Sequence, residues 1–462
     1  MESCSDDDIF AVDLLVLGGG MAGMTAAAHA AEAGKTILVV EAQSEIGGSA
    51  ALSGGGLWTA KDFDTLRQVN PLGQADRARA LCDGFDRACA FIASLGTEIT
   101  DKLVYEGTQS FPGWICQLNV SDFLKRAKVS VTASGGWIVT NARARRLLTE
   151  SDRIVGAEIE SADGSVDVLA RHVLIATGGF QNSAELRAKY LPGAGVSLAT
   201  RSNPASDGAG IRLGQSVGAD LSEHMSGWYG HTIPFPVELP LDPNEYLPLA
   251  QFFLSPRAVL LDGKGNRFVD ESRGYYLNAQ AVAQLPQGRA VIAFDDELRR
   301  EDSDRYGVDR WEFARRKGAH VAKADTLEQL DVAVSSWGPP KVSAAIASYN
   351  QALNNDLPLE PPRAANRRPI AKPPFFALEI QPAITFTHGG LRTDASSRVL
   401  DGKGKPVPGL LAAGADAGGT YHEAYAGGLA MAAVFGTIAS ETALTEQEQA
   451  DQEKRRSRLP SH

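Results

Sequence analysis

The amino-terminal part of the chain alternates short apolar runs with small-residue segments. Residues 12–17 form one apolar run and residues 36–40 form a second. Gly18, Gly20 and Gly23 follow the first run, and an alanine-rich stretch of helical length leads to the second. This order predicts a strand, a tight turn, a helix and a second strand, which is how a parallel sheet with covering helices begins.

The glycine spacing and the acid after the second strand indicate a dinucleotide site. Gly18 permits the tight turn, Gly20 lets the backbone approach a pyrophosphate, and Gly23 lets the helix pack closely on the strand. The free N–H groups of the helix amino terminus are suited to phosphate oxygens. Glu41 stands 23 residues after Gly18, where a carboxylate accepts hydrogen bonds from ribose hydroxyls. A glycine turn without a ligand is the alternative, and the flanking strands disfavour it.

Residues 45–56, EIGGSAALSGGG, follow Glu41 directly and predict a loop that lies against the cofactor. Here the chain resembles the flavoproteins of the fumarate reductase, 3-ketosteroid dehydrogenase and tricarballylate dehydrogenase superfamily. In that superfamily such a loop runs beside the isoalloxazine of FAD. Ser49 stands where the succinate dehydrogenase branch has its flavin-linking histidine, so the resemblance implies FAD that is held without a covalent bond.

Three later segments extend this resemblance. They are ATGG at 176–179, GLLAAGAD at 409–416, and the Gly-Gly-Leu at 427–429 that opens a second alanine-rich helix. The resemblance implies that Asp416 contacts the ribityl chain and that the helix amino terminus points at the flavin pyrimidine edge. The residues expected to contact FAD are Gly18, Gly20, Met21, Ala22, Gly23, Glu41, Ala42, Gly47, Gly48, Ser49, Ser53, Gly54, Gly55, Ala176, Thr177, Gly178, Asp207, Gly414, Asp416, Gly427, Gly428 and Leu429.

Proline density rises after residue 233, and the flavin signature resumes after residue 371. The predicted fold is therefore α/β: a Rossmann-like FAD-binding domain, a parallel sheet with helices, into which an α+β capping domain is inserted. The expected boundaries are 9–232 for the first part of the FAD-binding domain, 233–371 for the cap, and 372–445 for the second part. Residues 446–462 are expected to form a charged tail that frays.

Several local patterns give further predictions. Residues 61–134 predict one or two surface helices, and the arginine-rich residues 142–150 predict another helix. Residues 153–160, 166–170, 172–176 and 267–270 predict separate strands. A helix is predicted near residues 208–217.

Composition narrows the class of protein. The 462 residues carry a net charge of −11, which disfavours nucleic acid or an anionic membrane as the main partner. The four cysteines have no metal-binding spacing, so no metal site is expected. The acidic start lacks the features of a signal peptide, and no apolar run reaches the length of a membrane span. We expect a cytoplasmic protein.

The catalytic candidates come from the same resemblance. Tyr425 replaces the substrate-binding arginine of fumarate reductases, whereas 3-ketosteroid dehydrogenases have tyrosines here and at the position of Tyr275. These two are predicted to supply a base and a group that polarises a carbonyl, with help from the N–H of Gly428. A phenol needs a shifted pKa or a relay to act as a base, and the candidate relays are histidines. The further candidates are Tyr229, His231, His388 and His422.

The expected activity is FAD-dependent dehydrogenation α,β to the carbonyl of a cyclic ketone. Other features resemble tricarballylate dehydrogenases, so the same chemistry on a carboxylic acid stays open, as does reduction of an activated alkene. Arg257, Arg273 and Arg392 are candidates to hold a carboxylate. A flavin-binding sensor without catalysis is the alternative of another class. No second glycine motif for a nicotinamide cofactor follows, so an external electron acceptor of unidentified kind is expected.

Overall fold

The computed structural model describes residues 10–105, 111–191, 193, 198–337 and 341–457, except for the side chains of residues 454 and 456. The strands are β1 (Phe10–Leu17), β2 (Ile37–Val40), β3 (Gly56–Ala60), β4 (Leu103–Tyr105), β5 (Gly113–Gln117), β6 (Trp137–Val139), β7 (Arg143–Glu150), β8 (Arg153–Ser161), β9 (Gly164–Ile175), β10 (Ala199–Thr200), β11 (Trp228–Pro234), β12 (Val259–Leu261), β13 (Ala290–Asp295), β14 (Val321–Ala324), β15 (Phe375–Thr387), β16 (Arg398–Leu400) and β17 (Pro406–Ala412). The α-helices are α1 (Met21–Glu32), α2 (Phe63–Val69), α3 (Ala75–Ser94), α4 (Val120–Ala133), α5 (Ala184–Tyr190), α6 (Ala209–Ser216), α7 (Tyr246–Leu249), α8 (Tyr275–Ala283), α9 (Asp296–Tyr306), α10 (Arg310–Arg316), α11 (Leu327–Val334), α12 (Val342–Asn354) and α13 (Gly428–Ser457).

The first sheet confirms the predicted α/β class. Its parallel strands lie in the order β6, β2, β1, β9 and β17, and β16 pairs antiparallel at the edge beside β17. Their apolar residues are buried because helices cover the sheet: α1 packs on β1 and β2, and α13 packs on α1. The carboxyl ends of the parallel strands therefore meet at one edge, where a doubly wound sheet binds ligands.

The helix predicted for residues 142–150 is wrong, because this segment is strand β7. It pairs antiparallel with β8, and the pairing sets Arg145 and Arg146 beside the carboxylates of Glu160 and Glu158. Arginine density reflects these cross-strand ion pairs rather than a helical face. The strands predicted at 166–170 and 172–176 are one continuous strand, β9, which pairs with β8 in its first half and with β1 and β17 toward its end.

A second sheet is built around the long strand β15. Strands β11, β13 and β14 pair antiparallel with β15, β10 pairs parallel with it, and β12 extends the sheet beyond β13. Residues 267–270 form no strand, only an isolated bridge between Leu261 and Arg267. Because β10, β15 and most of β11 lie outside residues 233–371, this sheet takes strands from both sides of the expected boundaries. The division into domains stays a prediction.

Residues 61–134 contain more structure than one or two surface helices. Helices α2 and α3 come before β4 and β5, and α4 follows them. Strands β4 and β5 form a small antiparallel sheet with β3. The inner face of α3 is buried, including Leu81, Phe85 and Ile92, and it packs on α13. Its mixed charged and apolar sequence is that of an amphipathic helix with one core face.

Helix α13 crosses the core and continues into the predicted tail. A Cβ at Gly436 would lie 2.5 Å from the carbonyl oxygen of Ala22, so glycine allows α13 to approach α1 closely. The expected fraying after residue 446 is wrong as far as Ser457, because Glu446 lies 2.9 Å from the imidazole Nε2 of His172 and Asp451 pairs with Arg171. Residues 458–462 lie outside the described residues.

Over Gly428–Glu453, helix α13 is long and apolar enough to cross a membrane, but 67% of its most apolar stretch is buried inside the fold.

Candidate active site

A cavity of about 1010 Å³ lies at the carboxyl ends of the parallel strands and reaches the second sheet. Leu17, Val40, Ala176 and Ala413, at or just after the ends of β1, β2, β9 and β17, form one wall. Residues of β11 and β15 form the opposite end. The wall includes these residues predicted from the sequence: Gly18, Gly20, Met21, Ala22, Glu41, Ala42, Gly48, Ser49, Ser53, Gly54, Gly55, Ala176, Thr177, Gly178, Asp207, Gly414, Gly428, Leu429, Tyr229 and Tyr425.

The glycine turn after β1 has the geometry that a phosphate cradle needs. Gly18 has φ +110°, and a Cβ there would lie 2.2 Å from the carbonyl oxygen of Ala176. Around Gly20 the nearest atom to such a Cβ is 3.9 Å away, so the backbone is open to the cavity. A Cβ at Gly23 would lie 1.9 Å from the carbonyl oxygen of Gly18, so this glycine serves close packing and does not line the cavity.

Glu41 lies in the cavity wall with its carboxylate oriented by the backbone. One oxygen accepts a hydrogen bond from the N–H of Gly19 at 2.8 Å, and the other accepts one from the N–H of Gln43 at 2.8 Å. Each carboxylate oxygen has a further lone pair that a ribose hydroxyl could use. The side chain therefore fits the role expected from its place after β2.

Asp416 lies behind the cavity wall, and its expected contact with the ribityl chain stays a prediction. It is fully buried and outside the cavity wall, and its carboxylate accepts hydrogen bonds from Gly178 N at 2.8 Å, Gly179 N at 3.3 Å and Thr177 Oγ1 at 3.2 Å. It thus fixes the turn after β9, which does line the cavity. Burial raises the pKa of Asp416, and the backbone hydrogen bonds oppose this effect.

Two other predicted glycines also lie behind the wall. A Cβ at Gly47 would lie 2.8 Å from the Cβ of Ala51, and one at Gly427 would lie 1.6 Å from the carbonyl oxygen of Trp58. These glycines let neighbouring segments pack closely, and they are not part of the described lining. Their direct contact with a cofactor stays a prediction.

The end of the cavity next to the amino terminus of α13 holds two stacked tyrosines. The rings of Tyr229 and Tyr425 lie 3.6 Å apart between centroids at an interplanar angle of 21°. The N–H of Gly428 donates to the Tyr425 hydroxyl oxygen at 2.9 Å, so this N–H is not available to a substrate carbonyl. Burial raises the pKa of Tyr425 to about 12, against the opposing effect of this hydrogen bond. Tyr425 is therefore a neutral phenol whose own hydrogen is left to donate.

Tyr229 belongs to a buried chain of polar groups. Its hydroxyl lies 2.9 Å from that of Tyr275 and 3.3 Å from Nε2 of His231, and Nδ1 of His231 lies 2.6 Å from Nη1 of Arg201. A guanidinium can only donate, so Nδ1 accepts, and the neutral imidazole carries its hydrogen on Nε2 and directs it at Tyr229. Burial and the charge of Arg201 hold the pKa of His231 well below its ordinary value.

The remaining catalytic candidates do not line the cavity. Tyr275 lies behind Tyr229. His388 is buried between the rings of Phe386 and Tyr421, and burial lowers its pKa to about 3. His422 stacks edge-on against His224, outside the wall. His388 reaches Tyr425 only through ring contacts of Tyr421 and Phe386. Among the described residues, no hydrogen bond joins either histidine to Tyr229 or Tyr425, so the expected relay through these two has no path for a proton.

Sequence reasoning missed several residues of the wall. Arg201, Tyr246, Thr385 and Phe386 surround the tyrosine end. The expected carboxylate-binding arginines lie elsewhere: Arg392 pairs with Asp220, Arg273 with Glu423, and Arg257 donates to the carbonyl of Phe253. No local motif surrounds Arg201, and only the pairing of β10 with β15 brings it to the cavity.

The comparisons with known proteins identify the family and the fold. The model of the FAD binding domain family matches residues 13–429. The chain belongs to this family. It is 24% identical to the urocanate reductase of Eggerthella lenta, over 88% of this chain and 70% of that protein. It is also 24% identical to the 4-oxocyclohexanecarboxylate 2-dehydrogenase of Sinomonas cyclohexanicum, over 90% of this chain and 89% of that protein.

A solved structure confirms the fold. The 3-ketosteroid-Δ4-(5α)-dehydrogenase from Rhodococcus jostii RHA1, in complex with 4-androstene-3,17-dione, superimposes with a TM-score of 0.75 at 22% identity. The match covers 96% of this chain and 99% of that chain. This member of the FAD binding domain family is an FAD-dependent oxidoreductase, as predicted, and the hypothesis of a sensor without catalysis loses its support.

The residues present fit FAD at both ends of the cavity. The open backbone at Gly20 and the carboxylate of Glu41 would hold the pyrophosphate and a ribose, and Gly428 and Leu429 bring the positive end of α13 to the other end. When bound, FAD supplies the acceptor for a hydride. Ser49 lies in the wall with Oγ accepting from Asn203 N at 3.3 Å, and the absence of a covalent link there stays a prediction.

Proposed function

We propose that this oxidoreductase introduces a carbon–carbon double bond α,β to the carbonyl of a cyclic ketone. The observation that carries the proposal is the stacked pair of Tyr229 and Tyr425 at the amino terminus of α13. Two phenols on one side of a cavity can hold a carbonyl oxygen and a neighbouring α-proton at the same time. The name of the Sinomonas relative, a dehydrogenase of a cyclic keto acid, supports the same class of reaction.

Tyr425 is the group that polarises the carbonyl. Its oxygen already accepts the N–H of Gly428, so its hydrogen points away from that bond and is free for an acceptor in the cavity. Hydrogen bonding to the carbonyl oxygen stabilises the enolate and makes the α-proton more acidic. This is one of the two roles that the sequence hypothesis gave to the pair of Tyr425 and Tyr275.

Tyr229 is the group that takes the α-proton. As a phenolate it would accept from His231 Nε2–H and from the hydroxyl of Tyr275, both of which lie within hydrogen-bonding distance. Tyr275 thus supports the base from behind and does not touch the substrate. The hydrogen on the β-carbon leaves with its electron pair, and the new double bond forms between the two carbons.

Reduction of an activated alkene at the same site is the second candidate. Burial raises the pKa of Tyr229 well above its ordinary value, so at neutral pH the phenol is protonated and ready to donate its proton. A proton donor is what the reverse reaction requires, and the urocanate reductase is a relative with that direction in its name. The two directions share all the residues and differ in their dependence on pH.

Anaerobic titration of the FAD-loaded protein with a ring ketone tests the proposal. We expect the visible flavin absorbance to bleach, and we expect Tyr229→Phe and Tyr425→Phe each to slow bleaching about 10²- to 10⁴-fold. Tyr349→Phe is the matched control, since this buried tyrosine lies in the core behind the second sheet and outside the cavity. Unchanged bleaching in Tyr229→Phe would refute its role, and no bleaching by any ring ketone would refute the substrate class.

A further inference from the structure

Arg201 is a buried cation in the cavity wall with no carboxylate partner. Only 7% of the residue is exposed, yet it lines the cavity at the tyrosine end. Its guanidinium donates to His231 Nδ1, to Thr385 Oγ1 at 3.2 Å and to the carbonyl oxygen of Tyr246 at 2.9 Å. All three acceptors are neutral. Among the described residues, no Asp or Glu forms an ion pair with it.

The other arginines of the wall are paired. Asp207 pairs with Arg143 and Arg212, while Arg145 and Arg146 pair with acids of β8 and β9. Arg77, in the core, also lacks an acidic ion-pair partner among the described residues, but it does not line the cavity. The Arg201 guanidinium lies 5.1 Å from the ring centroid of Tyr246, and this ring carries no net charge. Arg201 alone among the described arginines of the wall combines burial, contact with the cavity and the lack of an acidic partner.

Such a charge is costly unless an anion joins it. A buried guanidinium without a counter-ion loses its hydration and gains no Coulomb attraction in return. Of its five N–H donors, three are used by the contacts above, and Nε is enclosed with no partner among the described residues. One N–H of Nη2 is left for an acceptor, and a carboxylate forms strong, charge-assisted hydrogen bonds with a guanidinium.

The position of Arg201 assigns this anion to the substrate. Its contacts lead through His231 to Tyr229, the end of the cavity away from the phosphate cradle at Gly18 and Gly20. The cofactor's pyrophosphate is expected at the cradle. An anion bound to Arg201 would be connected to the proposed base, Tyr229, by hydrogen bonds through one residue, His231.

We propose that Arg201 binds a carboxylate of the substrate, so that the compound oxidised is a ring ketone that also carries a carboxylate. This inference rests on the proposed function, which it narrows from a cyclic ketone to a keto acid. Tyr425 would hold the carbonyl and Arg201 the carboxylate, and two fixed points would orient the ring relative to Tyr229.

Calorimetric binding to the FAD-loaded protein tests Arg201 without requiring turnover. The probes are cyclohexanecarboxylate and its uncharged carboxamide. We expect the acid to bind about 10- to 100-fold more tightly than the amide, the range of a charged hydrogen bond. Arg201→Gln should abolish this preference with little change in affinity for the amide. The control Arg392→Gln, which removes an arginine paired with Asp220 away from the cavity, should keep the preference.

The outcomes separate this inference from the proposed function. Equal binding of acid and amide to the unaltered protein would overturn it, as would an FAD-loaded Arg201→Gln variant that keeps the preference for the acid. If Arg201→Gln fails to fold, Arg201→Lys must lower the ratio of acid to amide affinity, because lysine lacks the planar fork. If the protein strongly prefers the acid but no ring ketone bleaches its flavin, the role of Arg201 is supported and the proposed dehydrogenation of a ring ketone is refuted.

Discussion

Replacing Asp416 tests whether this buried acid supports the cavity or binds the cofactor. Asp416→Ala removes the buried acceptor of two backbone N–H groups and one hydroxyl in the turn after β9. The Gly179 N–H is buried, whereas Gly178 N–H and the Thr177 hydroxyl border the cavity. A buried donor left unpaired costs about 1–3 kcal/mol and a part-buried donor less, so we expect a loss of about 2–6 kcal/mol in the free energy of unfolding. That is a large share of the roughly 5–15 kcal/mol typical of folded proteins. Asp416→Asn keeps one acceptor oxygen and should lose less, about 1–3 kcal/mol.

The assay is urea unfolding of the FAD-free and FAD-loaded protein, combined with titration of FAD. A supporting role predicts that both forms lose similar stability and that the FAD affinity of Asp416→Asn falls by less than about tenfold. Asp220→Asn is the control, because its exposed pair with Arg392 is expected to contribute about 0–1 kcal/mol. If Asp416→Asn leaves the FAD-free protein as stable as before and weakens FAD about 100-fold, the carboxylate binds the cofactor directly and our reasoning is wrong.

Three further predictions concern pH and backbone geometry. Burial holds the pKa of Tyr229 well above its ordinary value of 10, so the phenolate fraction rises about tenfold per pH unit from pH 7 to 9. The rate of dehydrogenation should rise in the same way, whereas the rate of alkene reduction should not. In stopped-flow bleaching, Tyr229→Phe should remove this dependence of the dehydrogenation rate on pH. Gly427 has φ +96° and faces the carbonyl of Trp58, so Gly427→Ala should displace the start of α13 and lower the FAD content measured by absorbance. Gly402→Ala is the control and should keep the FAD content, because a Cβ at Gly402 would meet only open space. Hydrogen bonding to His172 lowers the pKa of Glu446 from its ordinary 4.5 to about 2. The ionised Glu446 therefore stabilises the fold above pH 4.5, and this stabilisation is lost as the pH falls toward 2. When the free energy of unfolding is measured against pH, Glu446→Gln should reduce the change between pH 4.5 and 2.

The predictions from sequence were most accurate where a pattern is local. The strand, turn and helix at the start of the chain, and Glu41 at the end of β2, depend on neighbours within about 30 residues. Predictions were wrong where partners were distant. The arginines of β7 suggested a helix because their acids lie on β8, and the tail seemed free because the partners of Glu446 and Asp451 lie near residue 172.

The sequence by itself determined the class of fold and the dinucleotide site, because the glycines and the acid that a dinucleotide needs must be contiguous with the strands that present them. The resemblance of residues 45–56 to a flavoprotein superfamily then implied that the dinucleotide is FAD. The tertiary structure alone decided the other end of the cavity. Arg201 directly follows β10, Tyr229 lies in β11, and Tyr425 lies in the loop before α13. No periodicity of the sequence links these three residues. Their proximity arises from strand pairing with β15 and from the approach of α13 to the sheet, and these long-range contacts leave no local signal in the chain.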